Sequence, residues 1–319
     1  MKKLVFLLSF SRALFADGLA NPSDRTLLDS RYVDLSASFL YWHAAESIDW
    51  ASTMTLEPQV EKLAYQTSGF GWDPGIRIGL GYNMRHDDWD SQVSYTWFQT
   101  QNAAQISGDI TAAYLGSKVA LYNSYESASL KWALAYNILD FDLGRSFLVS
   151  CSFSLRPSLG LKGGWIDQTI RTFWVNPLVE GIRFSLTAHE DLKNNFSGGG
   201  PKFGLSAKWL LAHSHFSLLG QFSGAFMWGH WIFKDKFYGG LTHVSVQVGE
   251  RNLAAIQLQG LIGLGFDTNF NDDLSHFSLK IGYEIQDWFD QYQGFDNFSG
   301  GHSNDLILQG LSCDLRVDF

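Results

Sequence analysis

The 319-residue sequence is poor in charge, in proline and in cysteine. Charged residues make up 17% of the chain, whereas soluble proteins average about 25%. Only 2 cysteines are present, so a small scaffold built on disulfides is excluded. Glycine (31 residues) far outnumbers proline (6), and aromatic residues reach 15%. This mixture favours strands with close backbone approaches over helices.

Long apolar runs and clusters of basic residues are also absent from the sequence. No run reaches the roughly 18 consecutive apolar residues that a membrane-spanning helix needs, so a membrane role would fall to strands or to a surface helix. The formal net charge is -9, and the Lys and Arg residues are scattered singly. Because no basic stripe is available for a phosphate backbone, the sequence argues against nucleic-acid binding.

The N-terminus has the pattern of a secretory signal peptide. Lys2 and Lys3 precede a short apolar stretch at 4–10, and small residues follow within 16–20. We therefore expect residues 1–20 to be a signal peptide, with cleavage between 16 and 20. The remaining residues, 21–319, are expected to form a single exported domain.

Two-residue alternation of apolar and polar side chains runs through the whole sequence. It is typical of strands that have a different environment on each face. It begins with "YVDLSASFLYWH" and ends with "LSCDLRVDF", and about ten segments follow it. In "SASLKWALAYN" the apolar face would consist of Ala128, Leu130, Trp132, Leu134 and Tyr136.

The connectors between these segments alternate in length. Short polar turns such as "RHDDW" and "LAHSH" follow every second segment. The others exceed the usual two to five residues of a hairpin loop; they lie at 44–72, 99–124, 165–196, 230–250 and 287–304. This pattern predicts an all-β, antiparallel, up-and-down transmembrane β-barrel with short periplasmic turns and long extracellular loops. Ten strands fit best, and 12 to 16 stay open because the long connectors could hold further hairpins.

The low charge indicates that the apolar faces point toward lipid. A bilayer-facing apolar band, bordered by Trp and Tyr, reverses the polarity of a soluble barrel and needs few charges. Most Trp residues fall at the ends of the alternating segments, where we expect them to form aromatic girdles at the membrane surfaces. The girdle candidates are Tyr41, Trp42, Trp89, Trp97, Trp165, Trp209, Trp228, Trp231 and Trp288.

Several stretches resemble the major outer membrane protein family of legionella and chlamydia-like bacteria. They are "FLYWHAAESIDWA", "GWDPGIRIGLGYNMRHDDWD", "LRPSLGLKGGWIDQ" and "KIGYEIQDWFDQ". The resemblance implies an integral barrel in the outer membrane of a Gram-negative bacterium, porin-like and without enzymatic activity. The cysteine-rich, cross-linked form of chlamydial members is not matched, since only Cys151 and Cys313 are present.

The polar faces of the strands would line the barrel lumen. Rings of charge there would set the ion preference of a pore, whereas mutual ion pairs would close a lumen that about ten strands leave narrow. The leading hypothesis is passive diffusion of small hydrophilic solutes or ions. The alternative is a structural or adhesive surface protein with a closed lumen that acts through its extracellular loops. The lumen-lining candidates are Arg77, Lys131, Arg156, Lys162, Lys202, Lys208, Lys280, Glu284, Asp314 and Arg316.

No catalytic, cofactor or metal site is predicted. "HDD" at 86–88 and "DTNFNDDLS" at 267–275 are expected to be polar turns, because Asp side chains cap local backbone groups. His189, Glu190 and Asp191 form "HED" on an outer connector, and His230 lies on another. Consecutive strand residues point apart, so this cluster is a poor candidate for a hydrolase.

The C-terminal segment is expected to be the last strand, paired with the first so that no strand edge faces lipid. Phe319 resembles the C-terminal aromatic signal by which the barrel-assembly machinery recognises its clients. That machinery and the outer-membrane lipid are the expected partners, and analogy to porins leaves homo-oligomers open. Cys151 and Cys313 should lie too far apart to form a disulfide.

Overall fold

The structure is a computed structural model. It describes residues 32–57, 60–84, 88–115, 124–179, 181–211, 215–239, 242–270, 275–296 and 300–318. The predicted signal peptide, His86, Asp87 and Phe319 lie outside these residues. No helix in the described part of the chain is long and apolar enough to cross a bilayer.

Strands account for nearly all of the described residues. In chain order they are β1 (Tyr32–Ala45), β2 (Ser47–Glu57), β3 (Val60–Gly69), β4 (Trp72–Asn83), β5 (Trp89–Ala112), β6 (Ser124–Arg145), β7 (Phe147–Ser150), β8 (Phe153–Val179), β9 (Ile182–Arg183), β10 (Thr187–Leu210), β11 (Phe216–Gly239), β12 (Thr242–Phe270), β13 (Ser275–Asp296) and β14 (Gly300–Asp318).

Ten of these strands form a closed antiparallel barrel, which confirms the predicted fold class and strand count. Around the wall the order is β1, β4, β5, β6, β8, β10, β11, β12, β13 and β14, and β14 returns to β1. The seam runs from Asp34 opposite Asp318 to Ala45 opposite Ile307. The last strand therefore pairs with the first, as expected, and the wall has no open edge in lipid.

The remaining strands lie outside this ring. β2 and β3 form a hairpin that touches the wall through a short pairing between Ala51–Thr53 and 110–112 on β5. β7 and β9 are short and pair with β8. These additions place extra chain at the barrel ends without raising the strand count of the wall.

Most segments expected to be long loops are strand instead. Eight of the ten wall strands have 19 to 29 residues, while about 9 to 11 suffice to cross a bilayer. Residues 99–112, 165–179 and 230–239, for example, continue β5, β8 and β11. The wall therefore extends far beyond the membrane on the side of the long connectors, which we call the extracellular part.

The faces of a wall strand exchange polarity along its length, as β6 illustrates. In its membrane-spanning half, Phe141 is exposed on the outer surface and Asp140 is buried inside. In its extracellular half, Trp132 is buried inside and Lys131 is exposed outside. The apolar face of "SASLKWALAYN" thus faces the interior and not lipid, because water surrounds the wall at that height.

The polarity exchange divides the predicted girdle residues into two groups. Trp89, Trp97, Trp165, Trp209 and Trp228 are exposed on the outer wall, as is Tyr41. Trp42, Trp231 and Trp288 are buried in the interior instead. For a Trp that faces inward above the membrane, burial in an apolar core is more favourable in free energy than a position at the membrane interface.

Candidate functional site

Nine of the ten charged lumen candidates face the interior of the barrel. Glu284 and Lys162 are buried, Arg77 bonds to Glu284, and the Asp314 carboxylate accepts a hydrogen bond from Ser38. Arg156, Lys202, Lys208, Lys280 and Arg316 line the internal cavity described below. An effect of these residues on ion preference remains a prediction.

Lys131 is the exception. It is exposed, whereas its strand neighbours Leu130 and Trp132 are buried in the interior core. Lys131 therefore lies on the outer surface of the extracellular part and not in the lumen. Alternation alone assigned it to the lumen because it assumed that the apolar face points outward along the whole strand.

A buried ion pair lies at mid-height in the lumen. Arg77 on β4 donates from Nη2 to Glu284 Oε1 (2.8 Å) and from Nη1 to Oε2 (3.1 Å) on β13. The same carboxylate accepts hydrogen bonds from the Ser312 hydroxyl (2.7 Å) and from Gln259 Nε2 (2.7 Å). Because both side chains are shielded from water, leaving either charge unpaired would destabilise the protein by several kcal/mol. These hydrogen bonds therefore stabilise the buried pair.

A second group of paired charges stands on the opposite wall. Asp140 on β6 lies 3.2 Å from Lys162 Nζ on β8 and 2.9 Å from Lys202 Nζ on β10. Lys202 also contacts Asp142 at 2.8 Å. Lys162 Nζ reaches further, to Gln259 Oε1 at 3.4 Å on β12. Polar side chains thus span the interior from β6 toward β12.

Ion pairs continue toward the periplasmic end. Arg316 lies 3.2 Å from Asp34 and 2.7 Å from Asp318, and Lys208 lies 3.0 Å from Asp267. Other pairs at this end join Arg156 to Asp90, and His276 to Asp318 (2.9 Å). Most charges of the lower lumen are therefore balanced by a neighbour of opposite sign.

Side chains from opposite walls meet directly across the lumen. Tyr136 on β6 donates a 2.7 Å hydrogen bond to Gln286 Oε1 on β13, which stands five strands away around the ten-strand ring. The Tyr136 ring also packs edge-on against Trp288, with centroids 5.8 Å apart. These contacts span the full width of the interior.

An aromatic and aliphatic core fills the interior above this contact. Its ring contacts include Trp50 with Trp174 (5.9 Å) and Phe70 with Trp132 (4.1 Å). The largest fully buried side chains are Trp42, Trp50, Trp132, Trp174, Trp288, Tyr125, Tyr136, Tyr292, Phe98, Phe196, Phe237 and Leu40. The extracellular part is thus packed like a soluble barrel.

A cavity of about 410 Å³ occupies the periplasmic half. It extends from Gln259 and Leu261 at mid-height down to Asn83, Asp88 and Ser146 at the periplasmic turns. Its wall carries the charged residues of the lower lumen. The interior therefore consists of a charged vestibule toward the periplasm and an apolar core toward the outside.

The extracellular core contains buried carboxylates that sequence reasoning did not single out. Glu46 accepts hydrogen bonds from Gln168 Nε2 at 3.2 and 2.9 Å, and burial raises its pKa to about 8. Asp235 is 3% exposed, and burial raises its pKa to about 7. The sequence does place these acidic residues in the same two-residue alternation as aromatic ones. To identify them as buried, however, one must know at which residue the apolar face of each strand turns from the outside to the interior.

The other residues weighed from the sequence do not form a catalytic cluster. His189 is stacked between Phe173 (5.7 Å) and Tyr238 (4.7 Å), while Glu190 is buried on the opposite face of β10. His230 bonds to Asn252. Asp88 lies in a turn with φ of 54°. Among the described residues, no three His, Cys, Asp or Glu side chains are grouped to hold a metal ion.

Neither cysteine is bridged in the structure. Cys151 is exposed in the turn between β7 and β8, and Cys313 is partly buried on β14. Cys313 pairs in register with Phe39 and Ile281, both exposed on the outer wall. It therefore faces lipid.

The sequence model of one protein family matches nearly the whole chain. The family is described as the Legionella pneumophila major outer membrane protein precursor, and the match covers residues 29–319. The chain belongs to this family. It is accordingly an outer-membrane β-barrel protein of a Gram-negative bacterium, and the resemblance seen in the sequence is confirmed. No curated protein sequence matches the chain.

The comparison with solved structures finds proteins whose sequences differ strongly from this chain. The outer membrane protease OmpT from Escherichia coli is 11% identical, with a TM-score of 0.44 over 95% of this chain and 99% of that one. A major outer membrane protein from Thermus thermophilus is 9% identical (TM-score 0.30, 91% and 100% covered). A Pseudomonas aeruginosa FadL homologue is 10% identical (0.28, 94% and 92%). At these scores nothing about activity follows from any of them.

Proposed function

We propose that this outer-membrane barrel is a surface protein with a closed lumen, acting through its extracellular part. The observation that carries this proposal is the contact of Tyr136 with Gln286 and Trp288 across the full width of the interior. Ten strands leave a lumen that side chains can nearly fill. The packed core that the described residues form above that contact also supports a lumen closed to solutes.

Passive diffusion of small hydrophilic solutes or ions is the second candidate. The charged vestibule of about 410 Å³ favours it, since a purely structural barrel needs no water-accessible cavity at its periplasmic end. For solutes to pass, the Arg77–Glu284 pair and the aromatic core above it would both have to move. This candidate therefore predicts a gated pore of low conductance.

No enzymatic role is proposed. His189 and Glu190 lie on opposite faces of β10, so they do not converge on one substrate atom. The closed-lumen proposal needs no cofactor and no metal ion.

Conductance of the purified protein in planar bilayers separates the two candidates. We expect no current steps above a protein-free control from the native chain, with folding verified by heat-dependent mobility on gels. The double variant Tyr136→Ala/Trp288→Ala should open the lumen and produce steps, because it removes both rings of the cross-lumen contact. Trp165→Ala, which truncates a ring on the outer wall, is the matched control and should stay silent.

Discrete steps from the native chain would overturn the closed-lumen proposal and leave passive diffusion. In that case Glu284→Gln should alter ion preference, because it removes a buried negative charge from the lumen and leaves the Arg77 charge uncompensated.

A further inference from the structure

Five basic side chains converge on the outer wall of the extracellular part. They come from four neighbouring strands, β6, β8, β10 and β11, and from widely separated positions in the sequence. All five are exposed. We call this group the basic patch; it consists of Lys131, Arg171, Lys193, Lys234 and Lys236.

The strand register sets like charges directly opposite each other in the basic patch. Lys131 on β6 stands opposite Arg171 on β8. Lys193 on β10 stands opposite Lys234 on β11. Directly opposed like charges destabilise a sheet. Two such pairs side by side leave a repulsion that an anion from outside the chain would offset, in addition to the contact between Asp191 and Arg171.

The chain itself supplies fewer negative than positive charges around the basic patch. Asp191 lies 3.2 Å from Arg171 Nε and in register with Lys236. Two further carboxylates lie on the outer wall on the membrane side of these residues: Asp167 faces outward on β8, and Glu250 is exposed on β12. Five cations and three carboxylates leave two positive charges, on a chain whose net charge is -9.

The other side of the extracellular wall is acidic. Asp305 on β14 and Asp49 on β2 are exposed, and Asp287 lies on the outer face of β13. The basic patch is therefore a local concentration of positive charge on one side of the barrel. A ligand that recognises it would be anionic and would approach from that side of the wall.

The height of the basic patch above the bilayer identifies the ligand. Trp165 and Trp228 are 47% and 70% exposed on the same wall and mark the outer membrane surface. Arg171 stands six residues beyond Trp165 on β8, and Lys234 and Lys236 stand six and eight residues beyond Trp228 on β11. With the rise and tilt of barrel strands, that places them roughly 15 to 20 Å above the tryptophans. This is the height of the sugar layer of an outer-leaflet glycolipid, beyond the phosphates of ordinary phospholipids.

We propose that the basic patch binds the phosphorylated inner sugars of lipopolysaccharide from the surrounding outer leaflet. Lys and Arg both bind phosphate, Lys as a point charge and Arg through a two-pronged fork. Phosphates between the opposed cations convert two repulsive pairs into bridges across four strands. The interaction clamps the extracellular part to the lipid on one side, and it is independent of whether the lumen conducts.

Binding of rough lipopolysaccharide, which carries lipid A and a phosphorylated inner core, tests this proposal. The full chain in neutral detergent micelles is titrated with it, with the same molecule after phosphate removal, and with phosphatidylglycerol. The native chain should prefer the phosphorylated glycolipid over both others. The variant Lys131→Gln/Lys193→Gln/Lys234→Gln should bind it on the order of 100-fold more weakly, since each cation near an anionic surface contributes about 1 kcal/mol.

The matched control replaces the same three lysines by arginine, which keeps the charge, and it should bind like the native chain. Equal binding of the dephosphorylated glycolipid, or of phosphatidylglycerol, would overturn the proposal, as would unchanged binding by the Gln variant. If the Gln variant fails to fold, the salt dependence of lipopolysaccharide binding by the native chain tests the proposal instead. Affinity should fall as salt rises, and affinity indifferent to salt would refute an ionic site.

Discussion

At the scale of single residues, the carboxylates of the extracellular core respond to pH. Glu46 is surrounded by amides and rings: Gln168 donates to it and also to Gln291 Oε1 at 3.0 Å, while Trp132 donates to Gln168. Burial is not offset by a cation from the described part of the chain, so the neutral acid is favoured and the pKa rises to about 8. Stability conferred by such a group is present at acid pH and is lost as the pH rises.

The first prediction concerns this pH dependence. Between pH 4.5 and about 8 the unfolded chain loses the Glu46 proton that the folded chain retains, so stability falls as pH rises through that window. Glu46→Gln keeps an acceptor for Gln168 and removes the ionisation. We expect the variant to be more stable than the native chain at pH 8, with little difference at pH 4. Urea unfolding in micelles at both pH values measures this, and an unchanged slope in the variant would contradict it.

The second prediction compares two lysines from the same set of sequence candidates. Lys162→Met should destabilise the barrel by about 3 kcal/mol, because Asp140 loses one of its two cations inside the protein. Lys131→Met should change stability by no more than about 0.5 kcal/mol, since Lys131 is exposed. Urea unfolding of both variants measures the difference. Equal losses would place Lys131 in the lumen after all.

The contrast between these lysines shows what the sequence could reveal about residues. A two-residue period determines which side chains share a face, and nine of the ten charged candidates do face the interior of the structure. The period does not show which face of the strand contacts water at a given distance from the membrane centre. Lys131 was misassigned because the medium around β6 changes from lipid to water between Phe141 and Trp132. The same ambiguity hid Glu46 and the buried tryptophans.

At the scale of the elements, the long connectors proved to be strand because their alternation continues with reversed polarity. In β11, Leu218 is exposed and Ser217 buried within the membrane, whereas Lys236 is exposed and Phe237 buried above it. A search for one apolar face loses the signal where the faces exchange. The short turns and the strand count were predictable because they need only local composition and spacing.

The third prediction tests the orientation of these elements with the native cysteines. Cys151 is exposed in the turn between β7 and β8, on the short-turn side. A membrane-impermeant maleimide should leave it unmodified on intact cells and react after the outer membrane is permeabilised. Asp290→Cys, at an exposed site on β13 in the extracellular part, should react on intact cells. Reaction of Cys151 on intact cells would invert the topology.

At the scale of the whole molecule, the barrel depends on closing β14 against β1. Twelve paired positions join the two strands, and β14 pairs with β13 on its other side. Until the last strand is in place, both edges of the wall offer unpaired backbone groups to lipid, where each costs several kcal/mol. We therefore expect assembly to require that the C-terminal strand be recognised and held.

The fourth prediction follows from that requirement. Phe319 lies outside the described residues, directly after Asp318 at the end of β14. We propose that Phe319 is an assembly signal; deleting it should then lower the amount of folded protein in the outer membrane while export into the periplasm continues. Fractionation and immunoblotting measure both pools, with Phe319→Tyr as the control that keeps an aromatic end. Normal membrane levels of the truncated chain would refute the role.

The polarity exchange along the strands also fixes how thick a bilayer the protein can occupy. On β5 the outward apolar band runs from Trp89 to Trp97, and exposed Gln99 and Gln101 follow at once. Nine residues of tilted strand span about 20 Å, close to the roughly 25 Å band of outer-membrane barrels. Unlike a loop, the strands above this band cannot rearrange. A thicker bilayer would therefore have to thin around the protein or bring the polar glutamine side chains into contact with lipid. Hydrophobic mismatch thus favours this protein in thin membranes and disfavours it in thick ones.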